Sequence, residues 1–228
     1  MKPKANILAV DDEPDILNLL EYNLRKAGFG VVTAKDGPEA LELTAQERPD
    51  LIILDIMLPN MEGTEVLKRL KADGSLSHIP VIMLTAKGEE VDRILGLELG
   101  CEDYITKPFS PREMILRVKA VLKRRSSAAP GDTLRFGELG IDPARHRVTV
   151  RGKEVELTST EFRLVSALAA AGGRVLSRDT LLDRAWGRDC YVTPRTVDTH
   201  VRRLRAKLKG AGKYIETVRG AGYRFSEG

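Results

Sequence analysis

Five short apolar runs, each followed by an amphipathic segment, fill the first half of this 228-residue chain. The runs are Ala5–Val10, Phe29–Ala34, Leu51–Leu54, Pro80–Leu84 and Asp103–Thr106. They are rich in Val and Ile and recur roughly every 20–25 residues, the pattern of buried strands joined by helical crossovers. In Ile16–Ala27, the residues Ile16, Leu19, Leu20, Asn23 and Leu24 share one stripe at helical spacing. Pro14 suits the first helical turn, and Gly28 follows as a C-terminal stop. Gly37–Glu47, Gly63–Ala72, Glu89–Leu99 and Ser110–Lys123 read the same way. Five β–α units in series predict an α/β domain: a five-stranded parallel, doubly wound sheet with helices on both faces.

The second half has another rhythm. Short alternating segments at Leu134–Phe136, Leu139–Ile141, Arg147–Arg151 and Glu154–Glu156 predict a small antiparallel sheet, with turns at Gly137, Asp142-Pro143 and Gly152-Lys153. Three helices are expected next: Thr158–Ala171, opened by a Thr158/Glu161 capping box; Ser177–Trp186; and Thr193–Lys209, with Pro194 at the first helical position. Tyr214–Val218 and Tyr223–Phe225, around a Gly220/Gly222 turn, predict a terminal hairpin. Between the halves lies the polar, Pro/Gly-bearing stretch Ser126–Asp132. The expected organisation is therefore residues 1–125, a linker over 126–131 that spans about 15 Å on average, and an α+β domain over 132–228.

Charge divides at the same place. Residues 1–125 hold 18 Lys/Arg against 21 Asp/Glu, and residues 126–228 hold 19 against 12. An acidic half and a basic half suggest two tasks, the second on nucleic acid. No apolar run reaches the 18 residues of a membrane span, and Ala5–Val10 is too short for a signal peptide, so a cytoplasmic protein with no membrane partner is expected. Cys101 and Cys190 have no motif spacing and read as reduced thiols.

In a doubly wound sheet, ligands bind beyond the carboxyl ends of the strands. Asp11, Asp12, Asp55, Thr85 and Lys107 stand at those ends. Two unit charges about 4 Å apart cost roughly 4 kcal/mol at an effective dielectric of 20, so three crowded carboxylates call for a cation. An all-oxygen set favours Mg²⁺. A carboxylate beside Mg²⁺, a lysine and a hydroxyl suits phosphoryl transfer, with Asp55 as the attacking group. Lys107-Pro108 raises the question of a cis bond.

These positions fall in Val10-Asp11-Asp12-Glu13, Leu54-Asp55-Ile56-Met57-Leu58-Pro59, Leu84-Thr85-Ala86 and Asp103-Tyr104-Ile105-Thr106-Lys107-Pro108-Phe109. The first half thereby resembles the receiver domain of two-component response regulators over about residues 4–124. The resemblance implies that Asp55 accepts phosphate from a sensor histidine kinase. It further implies that Asp12, Asp55 and the Met57 carbonyl ligate Mg²⁺, with Asp11 acting through water. Thr85 and Tyr104 become a switch pair, although Tyr104 also reads as a packing aromatic. Such a domain is no enzyme beyond self-phosphorylation from small phosphodonors and slow dephosphorylation. Cys101-Glu102 departs from the family's common Ala-Asp.

In the segment Thr193–Lys209, Val197, Val201, Leu204 and Leu208 form an apolar stripe. Arg195, Thr199, Arg202 and Arg203 are expected opposite it, on a face suited to the major groove of double-stranded DNA. A solvated cationic face is the plainer reading of the same residues. Arg203 and Thr199 are expected near the centre of that face, Arg195 and Arg202 toward its edge, and Asp198 paired with Arg202. Leu157-Thr158-Ser159-Thr160-Glu161-Phe162, Trp186-Gly187, Arg195 to Arg205, and Val218-Arg219-Gly220-Ala221-Gly222-Tyr223-Arg224-Phe225 resemble the winged-helix output domain of the family that includes the phosphate-response and osmoregulation regulators. That likeness covers about residues 132–226 and is strongest toward the phosphate-response subgroup. Arg219, in a hairpin tip too narrow to fill the major groove, is expected to enter an adjacent minor groove. The likeness implies that Gly187–Val192 is able to touch RNA polymerase. For Trp186 it suggests a phosphate contact, against a core role. It also implies a phosphorylation-induced homodimer through Arg93, Glu98, Asp103, Glu113, Arg117 and Lys119, on tandem half-sites. Intrahelical ion pairs are the plainer reading of those charges. A receiver that only docks proteins and a stand-alone hydrolase are the competing functions. The hydrolase lacks a general base near Asp55, and the recognition-helix and wing motifs argue against docking alone.

Overall fold

The structure, a computed structural model, describes residues 3–86, 100–126, 133–143, 145–187 and 194–226. The chain forms two compact units, Met1–Ser126 and Ser127–Gly228.

The first unit carries β1 (Asn6–Val10), α1 (Pro14–Lys26), β2 (Gly30–Ala34), α2 (Gly37–Glu47), β3 (Leu51–Asp55), α3 (Gly63–Ala72), β4 (Val81–Ala86), β5 (Asp103–Lys107) and α4 (Pro111–Ser126). The strands pair in parallel in the order β2-β1-β3-β4-β5. β3 lies at the centre and is buried at every position, which explains its unbroken apolar run. The helix expected over Glu89–Leu99 lies outside the described residues. On α1 the buried residues are Leu17, Leu20 and Leu24, and Leu19 is exposed. The expected stripe is thus turned by part of a helical step, because Leu17 packs into the core with Ile7, Val31 and Met114. α2 starts at an Asp36 cap: its carboxylate accepts the Glu39 N–H at 2.9 Å, and Glu39 returns a bond to the Lys35 N–H at 2.8 Å.

The second unit opens with an antiparallel sheet in the order β6-β7-β8-β9, formed by β6 (Leu134–Phe136), β7 (Leu139–Asp142), β8 (Arg147–Val150) and β9 (Lys153–Glu154). The turn before β9 falls one residue earlier than the sequence suggests. Arg151 and Gly152 both take positive φ (53° and 75°), the backbone of a two-residue hairpin turn. Three helices follow: α5 (Ser159–Ala170), α6 (Arg178–Ala185) and α7 (Pro194–Leu208). The capping box on α5 has both its bonds, Thr158 N to Glu161 Oε2 at 2.8 Å and Glu161 N to Thr158 Oγ1 at 3.2 Å. A 3₁₀ turn over Lys209–Tyr214, unforeseen from sequence, leads into the hairpin of β10 (Ile215–Val218) and β11 (Gly222–Phe225). Gly212 makes that turn possible, since a Cβ there would sit 2.6 Å from the Arg205 carbonyl oxygen. Among the described residues, no helix is long and apolar enough to cross a membrane.

Candidate phosphoacceptor pocket and nucleic-acid interface

The parallel register brings the carboxyl ends of β1, β3, β4 and β5 to one edge of the sheet: Val10 lies beside Leu54, Asp55 beside Leu84, and Ala86 beside Lys107. Asp11, Asp12 and Asp55 converge there, with one carboxylate oxygen from each within 4.8 Å of the others. Asp11 and Asp55 are buried and Asp12 is exposed. Lys107 Nζ sits between the buried pair, 2.8 Å from Asp11 Oδ2 and 2.8 Å from Asp55 Oδ2. Glu13 Oε1 is 3.6 Å from the same ammonium, a fourth carboxylate that sequence reasoning passed over. Burial pushes the Asp55 carboxyl above its ordinary value, and the Lys107 ammonium opposes this without cancelling it. For Lys107, burial works to lower the pKa, but its bonds to Asp11 and Asp55 outweigh that and raise it. Thr85 is buried at the end of β4, and Tyr104 is buried on β5. The Lys107-Pro108 bond is cis.

Two glycines hold the loop that presents Asp55. A Cβ on Gly63 would lie 1.9 Å from the Asp55 carbonyl oxygen, and the Gly63 N–H donates to the Ile56 carbonyl at 2.9 Å. A Cβ on Gly37 would lie 2.7 Å from the Met61 carbonyl oxygen. Asn60, at φ 65°, donates its amide to Asp36 Oδ2 at 3.0 Å. The Met57 side chain is exposed, and its N–H approaches Asp55 Oδ1 at 3.5 Å. Spacing from Asp55 alone gave no sign that Gly63 was needed; a tight backbone crossing is a three-dimensional fact. The all-oxygen donor set, with three carboxylates against one ammonium, fits a hard divalent cation.

In the second unit, α7 buries Thr196, Val197, His200, Val201, Leu204 and Leu208. The opposite face differs from the expectation. Arg195 and Arg202 are exposed, whereas Thr199 and Arg203 are half-buried. With a helical step of about 100°, Arg195, Thr199 and Arg202 straddle the point opposite the core, and Arg203 falls to one side. Asp198 is not paired with Arg202. Its Oδ1 accepts from Arg178 Nε at 2.8 Å and from the Tyr223 hydroxyl at 2.5 Å. Trp186 is fully buried, edge-on to His200 at 5.0 Å between ring centroids. Such burial supports the core reading of this ring. Arg219 is exposed in the turn between β10 and β11, where Gly220 takes φ 75°. Residues 188–192, expected to reach RNA polymerase, lie outside the described residues.

The charges assigned to dimerisation divide three ways. Arg93 and Glu98 lie outside the described residues. Arg117 is bonded within its own unit, to Asp103 at 3.1 and 3.2 Å and to Glu113 at 3.0 Å. Lys119 is exposed on α4.

Residues 7–119 match the response regulator receiver domain, and residues 152–225 match the C-terminal domain of transcriptional regulatory proteins. The alkaline phosphatase synthesis transcriptional regulatory protein PhoP of Bacillus subtilis is 46% identical over 97% of this chain and 96% of its own length. The chain belongs to the OmpR/PhoB family of response regulators. Phosphate regulon transcriptional regulatory proteins PhoB of Rhizobium meliloti and Escherichia coli are 49% and 45% identical, over 98% and 96% of this chain and 98% and 97% of theirs. Among solved structures, a mutant of RitR superposes with a TM-score of 0.76 at 27% identity, covering 98% of this chain and 99% of that one. A response regulator from Chloroflexus aurantiacus gives 0.52 at 39% identity, over 54% of this chain and 99% of its own. The regulator is a phosphorylation-dependent transcription factor with a receiver domain and a DNA-binding domain, and not a classical enzyme. Its partners by family are a histidine kinase and DNA.

Proposed function

We propose that Asp55 is the sole phosphoacceptor, that Mg²⁺ serves the pocket, and that phosphorylation drives a receiver-mediated dimer onto tandem half-sites about one helical turn apart. The observation that supports this most is the seating of Lys107 between Asp11 and Asp55, with Asp12 alongside. An Asp55 oxygen attacks the phosphorus of a kinase phosphohistidine. The new P–O bond forms as the P–N bond breaks, and the departing imidazole nitrogen takes up a proton. Asp12, Asp55 and the Met57 carbonyl would hold Mg²⁺, with Asp11 acting through water; bound there, the ion supplies charge neutralisation of the phosphoryl oxygens. Lys107 keeps an ammonium at hydrogen-bonding distance of Asp55 and stabilises the product's charge. The Thr85 hydroxyl, at the neighbouring strand end, turns toward the new phosphoryl group, and Tyr104 follows on the adjacent strand. The same pocket accepts phosphate from small acyl phosphates and loses it slowly, for want of a general base.

On DNA, Arg195, Thr199 and Arg202 face base edges, Arg203 contacts a flanking phosphate, and Arg219 enters the adjacent minor groove. Gly187–Val192 is the segment assigned to RNA polymerase. The regulator works in the cytoplasm. Selection of binding sites from random DNA, with and without a small acyl phosphate, tests this reading. The account expects a direct repeat recovered by the phosphorylated wild type and a much weaker yield from Asp55→Asn. Equal recovery by the two would refute phosphorylation control.

A further inference from the structure

Within its own unit, the four-stranded sheet buries one face and carries polar side chains on the other. Leu139, Ile141 and Val148 point inward and are buried. Arg135, Gly140, Asp142, Arg147 and Thr149 alternate with them, and the register sets Arg135 beside Gly140, Gly140 beside Thr149, and Asp142 beside Arg147. A concave pocket of about 460 Å³ lies on this outer face, with Arg135, Arg145, Arg147 and Arg151 among its walls and Gly140 and Thr149 in its floor. Gly140 keeps the floor open: a Cβ there would lie 2.7 Å from Thr149 Oγ1.

The four arginines are not equivalent. Arg145 is bonded to Asp142 at 3.1 Å and Arg151 to Glu138, so these two pairs are neutral and held in place. Arg135 and Arg147 have no hydrogen-bonded or ion-paired side-chain partner among the described residues. The lining thus sets four guanidinium groups against the two carboxylates of Glu138 and Asp142, around a hydroxyl and a glycine, and Arg147 is close enough to Asp142 to act on its charge without bonding to it. Guanidinium forks match phosphate oxygens bidentately, and a dianion balances the charge. The volume exceeds a bare phosphate and lies within the roughly 300–1,000 Å³ of small-molecule sites. The side chains that line it on this face are otherwise polar, and the Glu138 and Asp142 carboxylates have lone pairs left to accept hydroxyl protons. We propose that this pocket binds a small phosphomonoester with a hydroxyl-bearing body, of the phosphorylated-polyol class.

Duplex DNA is a poorer occupant. The turn at Gly137 and Glu138 packs beyond the C-terminal end of α7: a Cβ on Gly137 would meet the Tyr214 hydroxyl at 2.3 Å, and one on Gly210 would lie 3.3 Å from Glu138 Oε1. Arg195 and Thr199 lie in the N-terminal half of that helix and Arg202 at its middle.

The test is an amide-resonance titration of the full chain in phosphate-free buffer with glycerol 3-phosphate, inorganic phosphate, glycerol and an acidic tetrapeptide. Wild type is compared with the double variant Arg135→Gln/Arg147→Gln, whose unchanged spectrum elsewhere shows that it is folded. Glycerol 3-phosphate is expected to shift the Gly140 and Thr149 amides saturably, half-maximal below about 1 mM, and at least about tenfold more weakly in the variant. Glycerol alone gives no shift, and the variant binds DNA as wild type does. Absent saturation, or an equal response in the variant, would overturn the site. Half-saturation by inorganic phosphate at the same concentration would overturn the ester, and tighter binding of the peptide would make the face a protein-docking surface instead. Loss of DNA affinity in the variant would make it a DNA contact. None of these outcomes bears on Asp55.

Discussion

Tyr223 donates its hydroxyl to Asp198 Oδ1 at 2.5 Å, tying the terminal hairpin to the helix that carries the DNA-facing arginines. Arg178 holds the same carboxylate from α6, and the guanidinium groups of Arg178 and Arg205 lie over the Tyr223 ring, 5.2 and 5.6 Å from its centroid. Arg205 also donates to the Ile215 carbonyl at 2.6 Å. The hairpin and α7 thus share one polar clasp. Tyr223→Phe should leave the fold intact and cost about 1.5–3 kcal/mol in urea unfolding, the range of a hydrogen bond to a charged acceptor. Burial, then the bond to Asp198, raises the Tyr223 phenol above its ordinary 10.0. A raised pKa in the folded state means the clasp contributes fully below pH 10 and is lost as pH rises through the folded value. The stability gap between wild type and Tyr223→Phe should therefore be constant from neutral pH to about 10 and close above it.

The exposure pattern of α7 gives the DNA contacts an order. Arg202→Ala should cost about 1–3 kcal/mol on the preferred site and relax preference at one base position. Arg203→Ala should weaken specific and scrambled DNA alike and reduce the salt slope by about one. Arg219→Ala should matter most where the flank is A·T-rich, because a narrow minor groove concentrates negative potential. Titrations at two salt concentrations on both DNAs decide it; a uniform loss for Arg202→Ala would return base reading to Arg203.

Arg117 presents a competition. Its guanidinium is committed to Asp103 and Glu113 within one receiver, so a dimer that uses it must share or exchange those bonds. Arg117→Glu should weaken phosphate-analogue-induced dimers in sedimentation and also destabilise the receiver by about 3 kcal/mol, since the buried Asp103 loses its guanidinium partner and gains a like charge nearby. Lys119→Glu should weaken the dimer and leave stability within about 0.5 kcal/mol of wild type. A monomer with the analogue bound would contradict the dimer proposal outright.

The glycine clamp on the acceptor loop is testable too. Gly63→Ala must displace either the Asp55 carbonyl or the start of α3, and should cost about 1–3 kcal/mol. It should also slow phosphorylation from a small acyl phosphate. Lys107→Ala should leave Asp55 modifiable and blunt the gain in DNA affinity that follows. Intact-mass kinetics and DNA titration on the same samples separate the two effects.

Much of this was legible in the chain. The five parallel strands followed from repeated β-rich runs, because a strand such as Leu51–Asp55, buried at every position, is apolar up to the acidic residue at its end. The acidic cluster followed from strand ends alone. Side-chain partners did not. Asp198 has Arg202 four residues away, yet Arg178 and Tyr223 reach it across the fold and bind it instead. Helix rotation was missed by a fraction of a turn at both α1 and α7, since Leu19 and Arg203 each sit where local pattern leaves the face ambiguous and tertiary packing decides it. The Gly63 crossing and the arginine pocket depend on which backbones meet, and no periodicity carries that.

Phosphorylation mapping tests the central claim most directly. The regulator is incubated with Mg²⁺ and a small acyl phosphate, its intact mass is measured, and the modified peptide is sequenced. The account predicts one phosphoryl group, on Asp55, absent from Asp55→Asn and lost when the divalent cation is chelated. Undiminished labelling of Asp55→Asn, or modification of a different carboxylate in the wild type, would contradict it.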